Sequence, residues 1–418
     1  MSDEGKKEQT GPTNQGLRGA QLPDLLSTLR VAIVHYWLVR FRGGERVLEI
    51  LAEMFPQADI FTLVLDPDAL PPSLKSRKFT TSFLQKVPGI KGHYRKFLPL
   101  FPLALEQFDL DKYDLVISSE AGAAKGVLTR PHTCHICYCH TPMRYVWDMY
   151  HQYQSSAPGG ALGRALYSLA ASYVRQWDHA ASARVDYFVA SSRNSASRIA
   201  KYFRRNAQVI YPPVNISSFS VRTDVDDFYL VVSPLVVYKR VDLAISACKA
   251  MNRRLVVIGQ GELMRALKKM AGPTITFLGY QPDDVVRSYY QRCRAFIFPS
   301  EEDIGLTPIE AQASGRPVIA FGRGGALETV VGGFPRSSTA PESSTGVFFA
   351  EQSAESLAEA IRFFEANENR FSPAFIRRHA ERFDVPRFKS EMYAFINARM
   401  LEFRDRQTSD FALQASDL

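Results

Sequence analysis

Long apolar runs are missing from this 418-residue chain. No uninterrupted stretch approaches the roughly 18 to 20 residues that a membrane span needs, and the opening MSDEGKKEQTGPTNQG has no apolar core of the signal-peptide kind. Cysteine is scarce too. Of the five, Cys134, Cys137 and Cys139 crowd into CHICYC while Cys248 and Cys293 stand alone, unlike a secreted disulfide framework, so a reducing cytosol is expected. His132, His135 and His140 share that stretch, but no second C-x-x-C or H-x(3–5)-H pair occurs elsewhere in the chain, so buried strand cysteines are expected and no metal site. The dinucleotide fingerprint G-x-G-x-x-G is also absent, which argues against a nicotinamide enzyme: Gly43-Gly44 stand alone after the first apolar run, and Gly259 and Gly261 lack a third glycine in register. No RNP motif or helix-turn-helix pattern supports nucleic-acid binding.

The composition is that of a globular protein, with 46% hydrophobic and 22% charged residues, and the length suggests two domains of about 150 to 200 residues each. A net charge of +8 suits an acidic partner without choosing one. Residues 1–28 are polar and expected to be disordered. Short apolar, β-branched runs then alternate with helix-spaced segments: RVAIVHYWL, Gly43-Gly44 and ERVLEILAEMF, then YDLVISS, CHICYCH and DYFVASS with RNSASRIAKYF. The Pro-Pro pair of YPPVNISSF marks a linker, after which the alternation restarts with FYLVVSPL, RLVVIGQG, TITFLGY, AFIFPS and PVIAF. Two such stretches predict an α/β protein of two doubly wound, Rossmann-like domains facing a cleft, with ligands at the carboxyl ends of the strands. The expected boundaries are 29–212, 213–385, a C-terminal helix over 386–408 crossing back to the first domain, and a flexible tail over 409–418. Between Pro71 and Leu105 there is no Asp or Glu, while lysines and arginines alternate with aromatic and aliphatic residues, a mixture suited to an anionic membrane surface.

Within EEDIGLTPIE, Thr307, Pro308 and Glu310 read as N-cap, first helical position and capping-box acid, which leaves Glu302 and Gly305 unexplained. The motifs GGERVL, SSEAGAAKGVL, YCHTPMRYVWD, YPPVN, VVYKRVD, IGQGEL, FLGY and PSEEDIGLTPIEAQASGRPVIAFGRGGALET occur in that order. Over roughly residues 30–400 the chain thereby resembles the retaining glycosyltransferases of family 4, two-domain GT-B enzymes that use nucleotide sugars. HTPMRYVWD and YKRVD look most like the bacterial mannosyltransferase branch that builds O-antigen and exopolysaccharide from GDP-mannose.

The resemblance implies a role for each matching position. Glu302 and Glu310, with seven residues between them, take the places of the paired glutamates that face the donor sugar and the ribose, and Ile304, Gly305 and Leu306 lie between them at the donor site. Lys239 matches the phosphate lysine. The arginine usual five residues before it is Pro234 here, and Arg240 is the candidate substitute. Gly43 and Gly44 let the first domain's backbone approach the phosphates, and Gly324 and Gly325 could do so near the sugar. Gly259, Gly261, Glu262 and Tyr280 complete the expected donor side, and Lys125 and Arg144 the acceptor or sugar region. His140, ending its strand before Thr141-Pro142, matches a histidine near sugar and acceptor, so His140, Glu302 and Lys239 form the expected catalytic set.

The reaction implied by the resemblance is retaining transfer of a hexosyl group, mannose from GDP-mannose, to a polyprenyl-diphosphate-linked glycan, without cofactor or metal, on the inner face of the cell membrane. Lys91, Arg95 and Lys96 are the expected membrane contacts. The alternatives are another UDP- or GDP-sugar as donor, or a GT-B sugar-nucleotide epimerase; a phosphorylase would need a longer chain holding pyridoxal phosphate.

Overall fold

The computed structural model describes residues 26, 28–41, 43–335 and 343–416, with side chains as far as 409; the N-terminal segment expected to be disordered lies almost wholly outside these residues. A first sheet contains β1 (Val31–His35), β2 (Asp59–Thr62), β3 (Phe79–Thr81), β4 (Leu115–Glu120), β5 (Cys134–Cys139), β6 (Tyr187–Ala190) and β7 (Ala207–Val209). Its order is β3-β2-β1-β4-β5-β6-β7, every pair parallel. A second sheet contains β8 (Tyr229–Val232), β9 (Leu255–Ile258), β10 (Ile275–Gly279), β11 (Ala295–Phe298), β12 (Val318–Phe321), β13 (Gly332–Gly333) and β14 (Gly346–Phe349), in the order β10-β9-β8-β11-β12-β14-β13, again parallel throughout.

Parallel strands need crossovers, and the helices in those crossovers cover both sheet faces. That is why β1, β4, β5, β9, β11 and β12 are buried at every residue, and why β9, β11 and β12 read as unbroken apolar runs in the sequence. Along β5 the alternation divides the cysteines: Cys134, Ile136 and Tyr138 join one core, Cys137 and Cys139 the other, and all five cysteines of the chain are buried free thiols.

Five helices matter below: α1 (Gly43–Met54), α2 (Gly160–Ser182), α3 (Arg193–Phe203), α4 (Leu306–Ala313) and α5 (Val385–Ser416). In α5, Phe388, Met392, Phe395, Ile396, Met400 and Phe403 recur at helical spacing and pack into the core of the first sheet. Lys389 meets Glu53 at 2.9 Å, and Tyr393 Oη donates to the Met54 carbonyl at 2.9 Å. The backbone helix continues through 409–416, where a tail was expected. Among the described residues no helix is long and apolar enough to cross a membrane.

Candidate active site

Strand order reverses beside β1 in the first sheet and beside β8 in the second, and loops leaving such switch points diverge to open a crevice. A cleft of about 500 Å3 lies there between the sheets. The first domain lines it with Tyr36, Arg40, Gly43, Gly44, His140 and Arg144, among others; the second contributes Pro234, Tyr238, Lys239 and the continuous loop Glu302–Thr307.

Two helices begin at this cleft, α1 from one domain and α4 from the other, so their unpaired N-terminal amides converge on it. Glycine makes the approach possible. A Cβ on Gly43 would stand 2.7 Å from Leu306 Cδ1 across the cleft, and one on Gly44 would stand 2.3 Å from Tyr36 Oη. Gly305, at φ 77°, is the N-cap of α4 and offers no side-chain cap; the helix starts at Leu306, so Thr307 is not the cap its sequence position suggested.

Lys239 and Glu302 meet on the second domain's wall, Nζ to Oε1 at 2.5 Å, and Ser300 Oγ donates to the same carboxylate oxygen at 2.7 Å. Glu310 stands one turn into α4. Tyr290 Oη donates to its Oε2 at 3.1 Å, and Arg46 of α1 comes within 3.9 Å of its Oε1 while bonding Asp283 at 2.8 Å. Burial raises the Glu310 carboxyl above the usual range, with Arg46 and Tyr290 opposing. Arg46 was not apparent from the sequence as a cross-cleft residue. Nor was Asp303, which pairs with Arg198 of α3 and lies 3.9 Å from Arg144 Nη1. Arg144 and Arg198 also share Asp148, at 3.2 and 3.1 Å.

A row of polar groups connects Glu45 and His140 on the cleft lining through the fully buried His35 and Ser119. His35 Nε2 lies 4.0 Å from Glu45 Oε1, His35 Nδ1 lies 3.0 Å from Ser119 Oγ, and that hydroxyl lies 3.0 Å from His140 Nε2. One hydroxyl proton cannot serve two ring nitrogens, so one ring must donate N–H to Ser119, which couples the two tautomers. Desolvation, with the His35 ring as the second cause, pushes His140 down to about 3 and leaves it neutral near pH 7. His135, fully buried with Nε2 2.9 Å from Ser118 Oγ, is likewise pushed to about 3 by burial.

These two rings fix a pH dependence. In the unfolded chain both titrate near 6.5, but in the fold neither does until about 3, so the unfolded state binds more protons between those values. Stability should fall as pH drops from about 6.5, by up to about 1.4 kcal/mol per pH unit for each ring. Urea midpoints at about pH 7.5, 6 and 5 should decline in that order, and His135→Asn should flatten the trend. Equal midpoints across the range would refute the assignment.

Other expected site residues fall elsewhere. Lys125 cannot reach a sugar or acceptor: its side chain is fully buried, paired with Asp178 and 3.5 Å from Glu120. Arg240 sits at φ 50° and bonds Asp242 at 3.1 Å, outside the cleft lining, so it does not replace the guanidinium missing at Pro234. Arg40 and Arg95 do line the cleft. Gly324 and Gly325 back the acidic loop: Cβ atoms there would meet Glu302 O at 2.5 Å and Ile304 Cα at 2.3 Å. Gly259, Gly261, Glu262 and Tyr280 lie just past β9 and β10 at the same sheet edge, again outside the lining; Gly259 and Gly261 let their loop lie on Ser233 and Leu235. Among the described residues no His, Cys, Asp and Glu cluster could hold a metal ion.

Two facing Rossmann-like domains with a charged cleft between their switch points make a GT-B fold. Both halves of the chain match glycosyltransferase family models: residues 41–218 match Glycosyltransferase Family 4, and residues 216–381 match Glycosyl transferases group 1. Mouse alpha-1,3/1,6-mannosyltransferase ALG2 is 24% identical over 343 residues, 72% of this chain and 76% of that protein. An uncharacterized glycosyltransferase of Methanocaldococcus jannaschii is 29% identical over 159 residues, 37% and 45% of the two chains. The O-antigen chain mannosyltransferase RfbU of Salmonella typhimurium is 28% identical over 120 residues, 27% and 34%. The chain thus spans less than half the length of the last two. Among solved structures, sucrose-phosphate synthase from Thermosynechococcus elongatus superposes with a TM-score of 0.65 at 18% identity, covering 89% of this chain and 100% of that one. Anabaena HepE in complex with UDP gives 0.64 at 14%, covering 88% and 100%.

Proposed function

We propose that the enzyme transfers mannose from GDP-mannose, with retention, to a polyprenyl-diphosphate-linked glycan at the inner face of the cell membrane. The observation that carries this reading is the meeting, in one cleft, of two helix N-termini with the Lys239–Glu302 pair: cation and amides for a diphosphate, carboxylate for vicinal hydroxyls. The solved HepE complex contains UDP, and both ALG2 and RfbU are named mannosyltransferases, which favours a nucleotide-linked mannose.

In this reading Glu302 holds the sugar and Glu310 the ribose. Lys239, with Arg40 and Arg95 opposite, neutralises the diphosphate, while Tyr280 and Glu262 stand at the base end. The bond from the anomeric carbon to the diphosphate oxygen breaks as the acceptor oxygen attacks the same face, and the departing oxygen takes the acceptor's proton. Neutral His140 supplies a hydrogen bond beside the sugar. Positioning and electrostatic stabilisation carry the rate, and no divalent metal takes part. Closure about Pro212-Pro213 excludes water and limits donor hydrolysis.

Thermal stabilisation by a panel of nucleotides is the test. GDP and GDP-mannose should raise Tm by several degrees at concentrations well above Kd, and Glu310→Ala should cut the shift by half or more. A preference for UDP would replace the donor. An altered nucleotide sugar formed without any acceptor would identify an epimerase instead.

A further inference from the structure

The helix α2 carries two apolar stripes, and the fold buries only one of them. Tyr167, Ala171 and Val174 pack into the first domain's core; Arg175 lies over the Trp147 and Tyr150 rings, and Asp178 is buried. On the exposed side stand Leu162, Leu166, Leu169 and Tyr173, 70%, 58%, 71% and 51% exposed, at the i, i+4, i+7, i+11 spacing of one helical face. Scattered exposed leucines need no explanation. A four-residue stripe at helical period on one helix does.

The two chain segments that form this stripe and pack beside it carry charge of one sign. Residues 149–177 contain no Asp or Glu, and neither do residues 71–105, which include the segment Tyr94–Leu100 that packs beside α2. Lys96, Arg164, Leu100 and Leu103 are exposed in these two stretches. Tyr94, Arg95, Met149 and Tyr153 come from the same stretches and line the cleft, so the patch adjoins the mouth of the site.

We infer that the Leu162–Tyr173 face of α2 docks on an anionic lipid bilayer, its side chains entering the headgroup–acyl boundary while Lys96 and Arg164 meet lipid phosphates. The inference rests on the lipid-linked acceptor proposed above and gives it a geometry. Cations flanking an apolar face are what an interfacial helix presents to such a surface, whereas a second copy seated on this face would set cation against cation. A docked enzyme would hold the cleft mouth against the membrane, where a polyprenyl-linked acceptor presents its glycan.

Flotation of the full chain with vesicles of phosphatidylcholine alone, or with about a third phosphatidylglycerol, tests this. The chain should bind the anionic vesicles. Leu162→Ser, Leu166→Ser and Leu169→Ser combined should weaken binding about tenfold or more, and Lys96→Glu with Arg164→Glu should weaken it while making the remaining binding insensitive to salt. The triple variant should keep the wild-type melting temperature and the nucleotide-induced shift. Unchanged vesicle binding by the triple variant would overturn the inference, as would a wild-type dimer that the same substitutions dissociate without affecting vesicles. The failure of the donor reading looks different: no nucleotide would shift the wild-type Tm, whatever the vesicles show.

Discussion

Replacing Lys239 by Ala should lower kcat by about 10^3-fold, equivalent to about 4 kcal/mol of lost transition-state stabilisation. In the proposed reaction charge develops on the departing diphosphate, and Lys239 is the cation held on the second domain's wall, beside Glu302 at 2.5 Å. Its removal has a second cost. The Glu302 carboxylate would lose its ion pair and keep only the Ser300 hydrogen bond, placing an uncompensated negative charge next to the phosphates. Lys239→Arg should recover part of the rate, because the charge returns while the point-like ammonium geometry does not. Nucleotide release from GDP-mannose, with and without a lipid-linked acceptor, measures the effect. A loss of less than tenfold would remove Lys239 from the leaving-group role. The Arg240 guanidinium could not explain a rescue, since it is bound to Asp242.

The largest stability effect should come from Lys125, well behind the cleft. Its ammonium is paired with Asp178 and 3.5 Å from Glu120, all three side chains fully buried; its backbone N–H donates to Glu120 Oε2 at 3.0 Å, and Trp147 Nε1 donates to Asp178 Oδ2 at 2.8 Å. Burial raises the Glu120 carboxyl, and Lys125 opposes that rise. Lys125→Met fills the space but leaves two carboxylates without their cation, which should cost about 3–5 kcal/mol and lower Tm by roughly 10 °C. The loss should shrink at lower pH, where the stranded carboxylates take up protons. Adding Glu120→Gln and Asp178→Asn should restore part of the stability, because breaking a buried pair is worse than replacing it. Urea titration of the single and triple variants measures both statements. A loss below about 1 kcal/mol for Lys125→Met would show that the pair is not what holds this corner together.

Lys125 also shows where legibility stops. SSEAGAAKGVL matched a motif, but nothing near residue 125 signals a partner at Asp178, 53 positions later. The longer strands were readable because burial on both faces leaves mostly apolar runs. The three-residue β3 and β7 were not, because FTT and AQV are too short and too polar to show a period. Glu302 stood out by its spacing from Glu310, and the structure places it on the cleft; Arg46 and Asp303 make contacts across the domains that only the assembled fold creates. The exposed leucines of α2 escaped notice for a different reason. In sequence they merge with the buried stripe into one apolar helix, and only the fold says which half is covered.

The return of α5 to the first domain bears on how the chain is made. Phe388, Met392 and Ile396 complete a core whose last strand ends at Val209, so an emerging chain has a first domain with an uncovered face until nearly 180 further residues have been synthesised. At about 5–20 residues per second that interval is roughly 10–40 s. The second domain can therefore finish folding before the first, a reversal of the usual order along a nascent chain, and ribosome-associated chaperones have a defined period in which to hold the waiting face.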